Sequence, residues 1–342
     1  MFKLSIWCKL IRNVNKIYKR PCRSITYVNA CAPKVPLAIT LKTCKRFKIC
    51  PIKVYLSLNI LSWLGFVDDD ENKESELIMT LKRAILATNR EQFDKAEQLL
   101  HIALRLAQQQ LNEQGITYCY DLMANLAFNR LELDKSEKLF VSVVQRLLSN
   151  GVQQDDLKVI HISLKLARIC HLKGEDEKAD LGYNWCLEKI QKIKNTDINS
   201  KMLYGIIHDW YAQFLLDKND VGRSLNHLKE AYDVCSETEG AVTEQSMLLL
   251  NDLGITHWRV GNMDTAIDCL KQAVAIGNDL EDKTHVGVVN ANLGLIYLQK
   301  GIIEQAEKYC KLGLQLGNHH ENAESISQAN YCFEQIKLNV LK

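Results

Sequence analysis

The stretch YDLMANLAFNRLELDKSEKLF, residues 120–140, contains the residue spacing from which the fold is predicted. It holds a small residue, Ala124, a second small residue twelve positions later, Ser136, and an aromatic residue four positions beyond that, Phe140. Small residues at this spacing let two helices approach closely, and the large residue fills the space beside the next pair. The stretch therefore predicts a helix, a turn and a second helix that packs back on the first.

The same spacing recurs along the chain, each time with a small or apolar residue three positions after the large one. The first small residues of the six copies are separated by 40, 43, 45, 42 and 40 residues. A near-constant period of this kind predicts an array of helix pairs. The copies are Ala84, Ala96, Leu100 and Ala103; Ala124, Ser136, Phe140 and Val143; Ala167, Ala179, Tyr183 and Cys186; Ala212, Ser224, Leu228 and Ala231; Gly254, Ala266, Leu270 and Ala273; Gly294, Ala306, Cys310 and Gly313.

The pattern is typical of tetratricopeptide repeats, and it predicts an all-α solenoid of about six helix pairs plus a C-terminal capping helix. The four prolines all lie before residue 52, which agrees with a helical body. Gly174, Gly261 and Gly301 are expected to end first helices with positive φ. The predicted repeat domain is 68–342, with units near 77–110, 117–150, 160–193, 205–238, 247–280 and 287–320 and a cap at 322–342.

Charge divides the chain into a basic leader and an acidic body. Residues 1–67 hold 13 of the 43 Lys and Arg residues and none of the 41 acidic ones, so 68–342 has a net charge of −11. Residues 7–23 separate apolar and basic side chains on two faces of a helix, which predicts a mitochondrial transit peptide in 1–51. A basic disordered tail is the alternative. The acidic body argues against binding of nucleic acid.

A second N-terminal feature is the apolar segment IKVYLSLNILSWLGFV, residues 52–67. It is shorter than the roughly 20 residues that span a bilayer, so a marginal span, a sorting signal and an interfacial helix all remain open. Basic residues precede it and acidic residues follow it. The positive-inside bias then places the body in the intermembrane space, attached to the inner membrane.

Four stretches carry a specific resemblance: LKRAILA (81–87), EQLLHIALRLA (97–107), ITYCYDLMANLAF (116–128) and ISLKLA (162–167). They resemble the mitochondrial tetratricopeptide repeat protein 19 family, closely through residue 190 and more loosely beyond. The resemblance implies attachment to the inner mitochondrial membrane and support of respiratory complex III. It also implies help in clearing fragments of the Rieske iron–sulfur subunit.

Motifs for chemistry are missing from the sequence. Nucleotide-binding glycine loops, zinc-protease and serine-hydrolase motifs do not occur, so no enzyme activity, cofactor or small-molecule substrate is expected. His319, His320 and Glu321 are interpreted as a loop rather than a metal site. Asp121, Asp209 and Glu230 have no acid–base partner at a suggestive spacing. The apolar surroundings of Cys119, Cys170, Cys186, Cys269 and Cys310 predict small buried side chains.

A partner is expected to bind along the concave surface formed by the first helix of each pair. The inward positions lie three before, one after and four after the first small residue. Their mixed polar character suits a peptide, with Phe128 and Trp258 as exposed anchors. The candidate binding residues are Asp121, Asn125, Phe128, Arg168, His171, Asp209, Gln213, Asn251 and Trp258, with Leu164, Leu216 and Ile255 at the remaining inward positions.

Three functions stay open at this point. The first is a scaffold for complex III, as the resemblance implies. The second is a general mitochondrial import or chaperone adaptor that grips carboxylates with lysine, and Asp121 next to Asn125 argues against it because like charges repel. The third is a cytosolic cargo adaptor of the kinesin light chain type, which a working leader would exclude.

Overall fold

The structure is a computed structural model that describes residues 75–194 and 197–340. All regular structure in these ranges is helical, so the predicted all-α tetratricopeptide-type fold of six helix pairs and a capping helix is confirmed. The helices are α1 (Glu76–Asn89), α2 (Phe93–Gln109), α3 (Glu113–Asn129), α4 (Leu133–Ser149), α5 (Leu157–Lys173), α6 (Asp176–Gln191), α7 (Ile198–Asp217), α8 (Val221–Thr238), α9 (Glu244–Arg259), α10 (Met263–Asp279), α11 (Val286–Gln299), α12 (Ile303–His319) and α13 (Ala323–Val340).

The predicted transit peptide (1–51) and apolar segment (52–67) lie outside the described residues. The numerical bounds of the repeat domain and its units stay predictions. Among the helices of 75–194 and 197–340, none combines the length and the apolar character that crossing a bilayer requires.

The chain divides into two compact units, whose described parts end at Ile207 and begin at His208. In the first unit, α1 packs on α2, α3 on α4 and α5 on α6, and each of the first two pairs also contacts the next pair. In the second unit, α8 to α13 contact one another in sequence, and α13 also contacts α11. Each unit therefore builds its core from neighbouring helices along the chain, as repeat proteins do.

The spacing of residues 120–140 has a direct structural cause. Ser136 Oγ donates a hydrogen bond to the carbonyl oxygen of Ala124 at 3.0 Å, and Ser224 Oγ donates to Ala212 in the same way, also at 3.0 Å. Each bond joins the two helices of a pair where both residues are fully buried. Phe140 is 0% exposed and packs with residues of α3 and α5. Small residues are required because larger ones would separate the helices, and the hydroxyl is tolerated because it is bonded.

One residue in each turn inside a pair has a positive φ. The predicted glycines adopt φ values of 75°, 87° and 81° at Gly174, Gly261 and Gly301. In the other three pairs a non-glycine residue occupies the same turn position, seven residues after the first small residue. These residues are Glu91 (59°), Leu131 (59°) and Asn219 (61°). A side chain with a Cβ atom is strained in this left-handed region.

Replacing Leu131 with glycine is expected to stabilise the protein by about 0.5–1 kcal/mol, because the left-handed backbone strain is removed. Little packing is lost, since Leu131 is 42% exposed. Urea denaturation followed by circular dichroism measures the change. The reverse substitution, Gly174→Leu, places a side chain in open space at the same backbone angle and is expected to destabilise. This explanation requires that the changes in the free energy of unfolding have opposite signs in the two variants.

Ion pairs repeat along the array with a fixed spacing. The basic residue lies six positions after the first small residue of its own pair. The acidic residue lies on the preceding helix pair, two positions before the second small residue of that pair. The nitrogen–oxygen distances are 3.3 Å for Arg130–Asp94, 2.8 Å for Lys173–Asp134 and 2.5 Å for Lys300–Asp264. The three acidic side chains are exposed, so solvent screens the pairs and each contributes little to stability. The pairs mark the register between neighbouring repeats.

Two buried cysteines are joined in the second unit. Cys310 on α12 and Cys332 on α13 form a disulfide, with Cα atoms 6.1 Å apart and both side chains 0% exposed. The prediction that Cys310 is buried is confirmed, but its interpretation as an unbonded apolar side chain is wrong. The bond is hidden from sequence reasoning because the turn between α12 and α13 brings together residues 22 positions apart. Cys119 and Cys186 are buried free thiols, as expected, whereas Cys170 and Cys269 are partly exposed.

Candidate functional site

The first candidate surface lies on α3 and α5 of the first unit. Asn125 donates from Nδ2 to the backbone carbonyl of Asp121 at 2.7 Å and accepts from Lys165 Nζ at 2.7 Å. Lys165 is only 4% exposed, and its Nζ lies 5.2 Å from the centre of the Phe140 ring. Burial lowers the pKa of Lys165, and the Asp121 carboxylate opposes that shift. The structure thus joins two predicted residues, Asp121 and Asn125, to a lysine from the next repeat.

Arg168 and His171 lie one turn apart on α5. Arg168 Nη1 is 3.1 Å from His171 Nδ1, and the His171 ring meets the Tyr183 ring edge to face at a centroid distance of 6.4 Å. Arg168 is 9% exposed, so its guanidinium is held among other side chains. Lys165, Arg168 and His171 follow one another at intervals of three residues on α5, and Lys165 is the one that bonds to Asn125.

The second candidate surface lies in the second unit and begins with Asp209 and Gln213 on α7. Gln213 Nε2 donates to Asp209 Oδ1 at 3.0 Å, and Gln245 Nε2 donates to Asp209 Oδ2 at 3.0 Å. Asp209 is 6% exposed. A carboxylate at this depth requires hydrogen-bond donors, and the two carboxamides supply one for each oxygen. Both carboxylate oxygens of Asp209 are therefore hydrogen-bonded.

Three buried amides continue across successive helices of the same unit. Asn251 Oδ1 on α9 accepts from Asn292 Nδ2 on α11 at 2.9 Å, and Asn292 Oδ1 accepts from Gln328 Nε2 on α13 at 3.1 Å. Their side chains are at most 5% exposed. We call Asn251, Asn292 and Gln328 the amide row. Each carboxamide has both a donor and an acceptor, so the row matches the hydrogen-bonding groups of a peptide backbone.

The two aromatic anchors lie in a different environment from the predicted one. Phe128 is 2% exposed and packs with Phe140 and Ile162, and Trp258 is 3% exposed and donates from Nε1 to Gln299 Oε1. The expectation of exposed aromatic anchors is therefore wrong. The burial of Phe128 and Trp258 cannot be predicted from their positions along one helix, because the first helix of the next pair covers each side chain. The binding role of all nine predicted residues stays a prediction.

Sequence reasoning also missed several residues that complete these surfaces. Lys165, Gln245, Asn292 and Gln328 all bond to predicted residues or extend them. A signal was present at two positions, since Lys165 and Asn292 are polar residues with apolar residues on at least one side in the helical stretches 159–169 and 286–298. A polar residue in such a helix must find a partner when it is buried, and the partner is in the neighbouring repeat.

The other residues considered for chemistry do not form a centre. The rings of His319 and His320 are nearly perpendicular, at 84°, and Glu321 follows with a φ of 51°. Across 75–194 and 197–340, no three His, Cys, Asp or Glu side chains are arranged to hold a metal ion.

Stability is expected to fall as the pH decreases from about 7.5 to 5.5. Burial holds the pKa of His161 well below its ordinary value, and the charge of Lys165 adds to this. The unfolded chain then binds a proton near pH 6.5 that the folded chain excludes, so stability is lost below that pH. His161 contributes up to about 1.4 kcal/mol per pH unit. Urea denaturation at the two pH values measures the loss, and His161→Gln should reduce it.

The control variant is His101→Gln in α2, where the histidine is exposed. The pH dependence of this variant is compared with that of His161→Gln, which should show the larger change. An equal pH dependence in the native chain and in His161→Gln would show that His161 is not the group responsible.

Family models and a solved structure agree with the repeat architecture. Residues 204–279 and 244–319 match the tetratricopeptide repeat model, and residues 67–130 match the model of anaphase-promoting complex subunit 5. The fold is similar to the crystal structure of BtubC (BKLC) from P. vanneervenii, with a TM-score of 0.57 and 19% identity. That match covers 73% of this chain and 94% of BtubC. At this identity the likeness concerns the fold alone.

Curated relatives are more specific. The chain is 39% identical over 281 residues to tetratricopeptide repeat protein 19 homolog, mitochondrial, of Drosophila melanogaster, covering 81% of this chain and 76% of the relative. It is 33% identical over 253 residues to tetratricopeptide repeat protein 19, mitochondrial, of Mus musculus, covering 70% and 69%. These matches confirm the resemblance carried by residues 81–167. The chain belongs to the family of mitochondrial tetratricopeptide repeat protein 19.

Proposed function

We propose that this protein is a non-enzymatic scaffold at the inner mitochondrial membrane that supports the assembly and maintenance of respiratory complex III. It binds complex III and promotes the clearance of fragments of the Rieske iron–sulfur subunit. Membership of the mitochondrial family is the observation that carries the proposal. Tetratricopeptide repeats in general bind other proteins, which supports a binding function.

The candidate surfaces support recognition of a peptide segment. Asn125 and the amide row carry carboxamides that can donate to a backbone carbonyl and accept from a backbone N–H. On binding, the backbone groups of a partner would replace the present hydrogen bonds between side chains of neighbouring repeats. Asp121, with intermediate exposure, adds a carboxylate beside Asn125. Phe128 and Trp258 act in this proposal through packing that orients the first helices, because they are buried.

The contribution to fragment clearance is indirect in this proposal. The carboxylate of Asp209 is held by two amide donors, and the pKa of the buried thiol Cys119 is raised to about 12 by burial. Neither group is prepared for nucleophilic or acid–base catalysis. The scaffold would bind a fragment and release it from complex III or present it to a protease.

One observation favours the second candidate, a general import or chaperone adaptor. Lys165 Nζ lies 2.7 Å from Asn125 Oδ1, so a lysine and an asparagine adjoin on the first helices. Such a pair can bind a carboxylate. The single lysine is 4% exposed, however, and Asp121 lies on the same surface and repels an anionic ligand. We therefore favour the complex III scaffold.

The proposal is tested by capturing the tagged full chain from digitonin-solubilised mitochondria and quantifying the bound proteins. Complex III subunits, including Rieske polypeptides, are expected to be enriched, and Rieske fragments should accumulate in cells that lack the protein. Recovery of chaperones or import components without complex III would support the adaptor instead.

A matched pair of variants tests the α3–α5 surface. Asp121→Asn removes one carboxylate from α3 without changing the size of the side chain, and we expect several-fold lower recovery of complex III. Glu188→Gln removes one exposed carboxylate from α6, the second helix of its pair, and should leave recovery unchanged. Equal recovery with both variants would place the interface elsewhere while keeping the function.

A further inference from the structure

The disulfide between Cys310 and Cys332 ties the capping helix to the last repeat. Cys310 lies on α12 and Cys332 on α13, and their Cα separation of 6.1 Å is within the range that disulfides span without moving the backbone. Both sulfurs are enclosed in the hydrophobic core of the second unit. A Cβ atom at Gly294 would lie 2.5 Å from Cys310 Sγ, so α11 is shaped to accommodate this sulfur. Three helices therefore meet at the bond.

The capping helix also supplies the end of the amide row. Gln328 on α13 donates to Asn292, and Asn322, just before α13, donates from Nδ2 to the carbonyl oxygen of Thr284 at 2.8 Å. Gly317 of α12 approaches α13 so closely that a Cβ atom there would lie 2.9 Å from the Ile326 nitrogen. Anything that releases α13 therefore separates Gln328 from Asn292 and opens the core at its end.

Three of the five other described cysteines are buried, whereas Cys170 and Cys269 are partly exposed. Burial raises the pKa of Cys119 to about 12 and of Cys235 to about 11, and it raises the pKa of Cys186 further. Oxidation and disulfide exchange require an accessible thiolate, which these thiols rarely provide at neutral pH. Cys310 and Cys332 are thus the pair that bonds, while the buried thiols are protected from wrong pairing.

We infer that oxidation of Cys310 and Cys332 locks the capping helix and completes the amide row, and that the repeat body matures in a disulfide-forming compartment. In a mitochondrion that compartment is the intermembrane space, because the glutathione pool of the matrix keeps thiols reduced. The step is a thiol–disulfide exchange with an oxidised protein dithiol. One S–S bond forms between Cys310 and Cys332, the donor's S–S bond breaks, and the donor receives two electrons and two protons.

The inference rests on the mitochondrial location and on the proposed attachment to the inner membrane, and it assigns the side of that membrane. It does not depend on the identity of the bound partner. A scaffold for complex III and a chaperone adaptor would both contain the Cys310–Cys332 disulfide. Cys310 and Cys332 can therefore prove to be reduced although complex III is captured. They can equally prove to be bonded although complex III is not captured.

The redox state is measured in intact mitochondria from cells that express the tagged full chain. Free thiols are first blocked with N-ethylmaleimide in acid-quenched samples, and peptides are then analysed by mass spectrometry without reduction. We expect a linked peptide pair that contains Cys310 and Cys332, and alkylated Cys119, Cys186 and Cys235. N-ethylmaleimide on both Cys310 and Cys332 would overturn the inference.

The side of the membrane is measured in the same preparation. A C-terminal tag is expected to resist protease in intact mitochondria and to be removed once the outer membrane is opened by swelling. Resistance until detergent dissolves the inner membrane would place the body in the matrix and would overturn the inference. A soluble matrix enzyme and a known intermembrane-space protein serve as markers for the two results.

A matched pair of variants tests whether the disulfide holds α13 on α12. Cys332→Ala removes the bond, and Cys186→Ala removes one equally buried free thiol from α6. For the chain purified from mitochondria, we expect Cys332→Ala to lower the Tm by roughly 5–10 °C more than Cys186→Ala. Dithiothreitol should lower the Tm of the native chain and leave that of Cys332→Ala unchanged. A native chain insensitive to dithiothreitol, with free Cys310 and Cys332, would overturn the inference.

Discussion

Phe140→Ala is expected to cost about 3–5 kcal/mol of the free energy of unfolding, as the loss of a fully buried phenylalanine does elsewhere. Phe140 is 0% exposed, and its ring packs between α3, α4 and α5 with Phe128, Ile162 and Ile169. Alanine would leave a cavity at the contact between two successive helix pairs. The Lys165 ammonium would also lose the aromatic face that lies 5.2 Å away. Urea denaturation followed by circular dichroism measures the loss.

Val141→Ala is the control for this prediction, since Val141 is the next residue of α4 and is 39% exposed. It should cost less than about 0.5 kcal/mol, the usual range for surface substitutions. If the two variants lost the same stability, the large residue of the repeat would not be the element that joins successive pairs.

Gly313→Val is expected to destabilise the second unit by about 3 kcal/mol, at the upper end of what overpacking costs. A Cβ atom at Gly313 would lie 2.8 Å from the carbonyl oxygen of Gly287 and 3.2 Å from the backbone nitrogen of Ala291. Both neighbours are backbone atoms of α11, so a side-chain rotation cannot relieve the clash. Helices α11 and α12 would have to separate. A calorimetric scan of the variant should show a lower Tm.

Gly222→Val on α8 is the control, because a Cβ atom there meets no atom within 4 Å and the backbone is helical. Its effect should be close to zero or slightly stabilising, because glycine is a poor helix former. Comparable losses for the two valine variants would mean that close approach of α11 and α12 is not what the small residue at 313 provides.

The fold was predictable because its signal is periodic and local. Ala124, Ser136 and Phe140 are determined by contacts inside one pair and with its neighbour, and six copies repeat the same requirement. The turns were predictable only where glycine marks them. Leu131 has a positive φ like Gly174, although leucine does not predict such a backbone angle. The surrounding helices impose the turn there.

The candidate surfaces were predicted only in part. Asp121, Asn125, Asp209, Gln213 and Asn251 do lie at hydrogen-bonded positions of the first helices. Three of them also have partners roughly one repeat away: Lys165 bonds to Asn125, Gln245 to Asp209 and Asn292 to Asn251. A helical wheel gives the direction of a side chain but not the offset between two packed helices, so it could not pair these residues.

The period of the repeats, the helical architecture and the positions that must be small can be read from the amino-acid sequence, because these depend on spacing along one chain segment. The side chains that a neighbouring repeat covers become known from the packing of the helices. This packing buries Phe128 and Trp258, joins Asn251 to Asn292 and Gln328, and bonds Cys310 to Cys332. The physical reason is that burial and pairing arise between helices, where the distance and offset of the packed backbones select the partners.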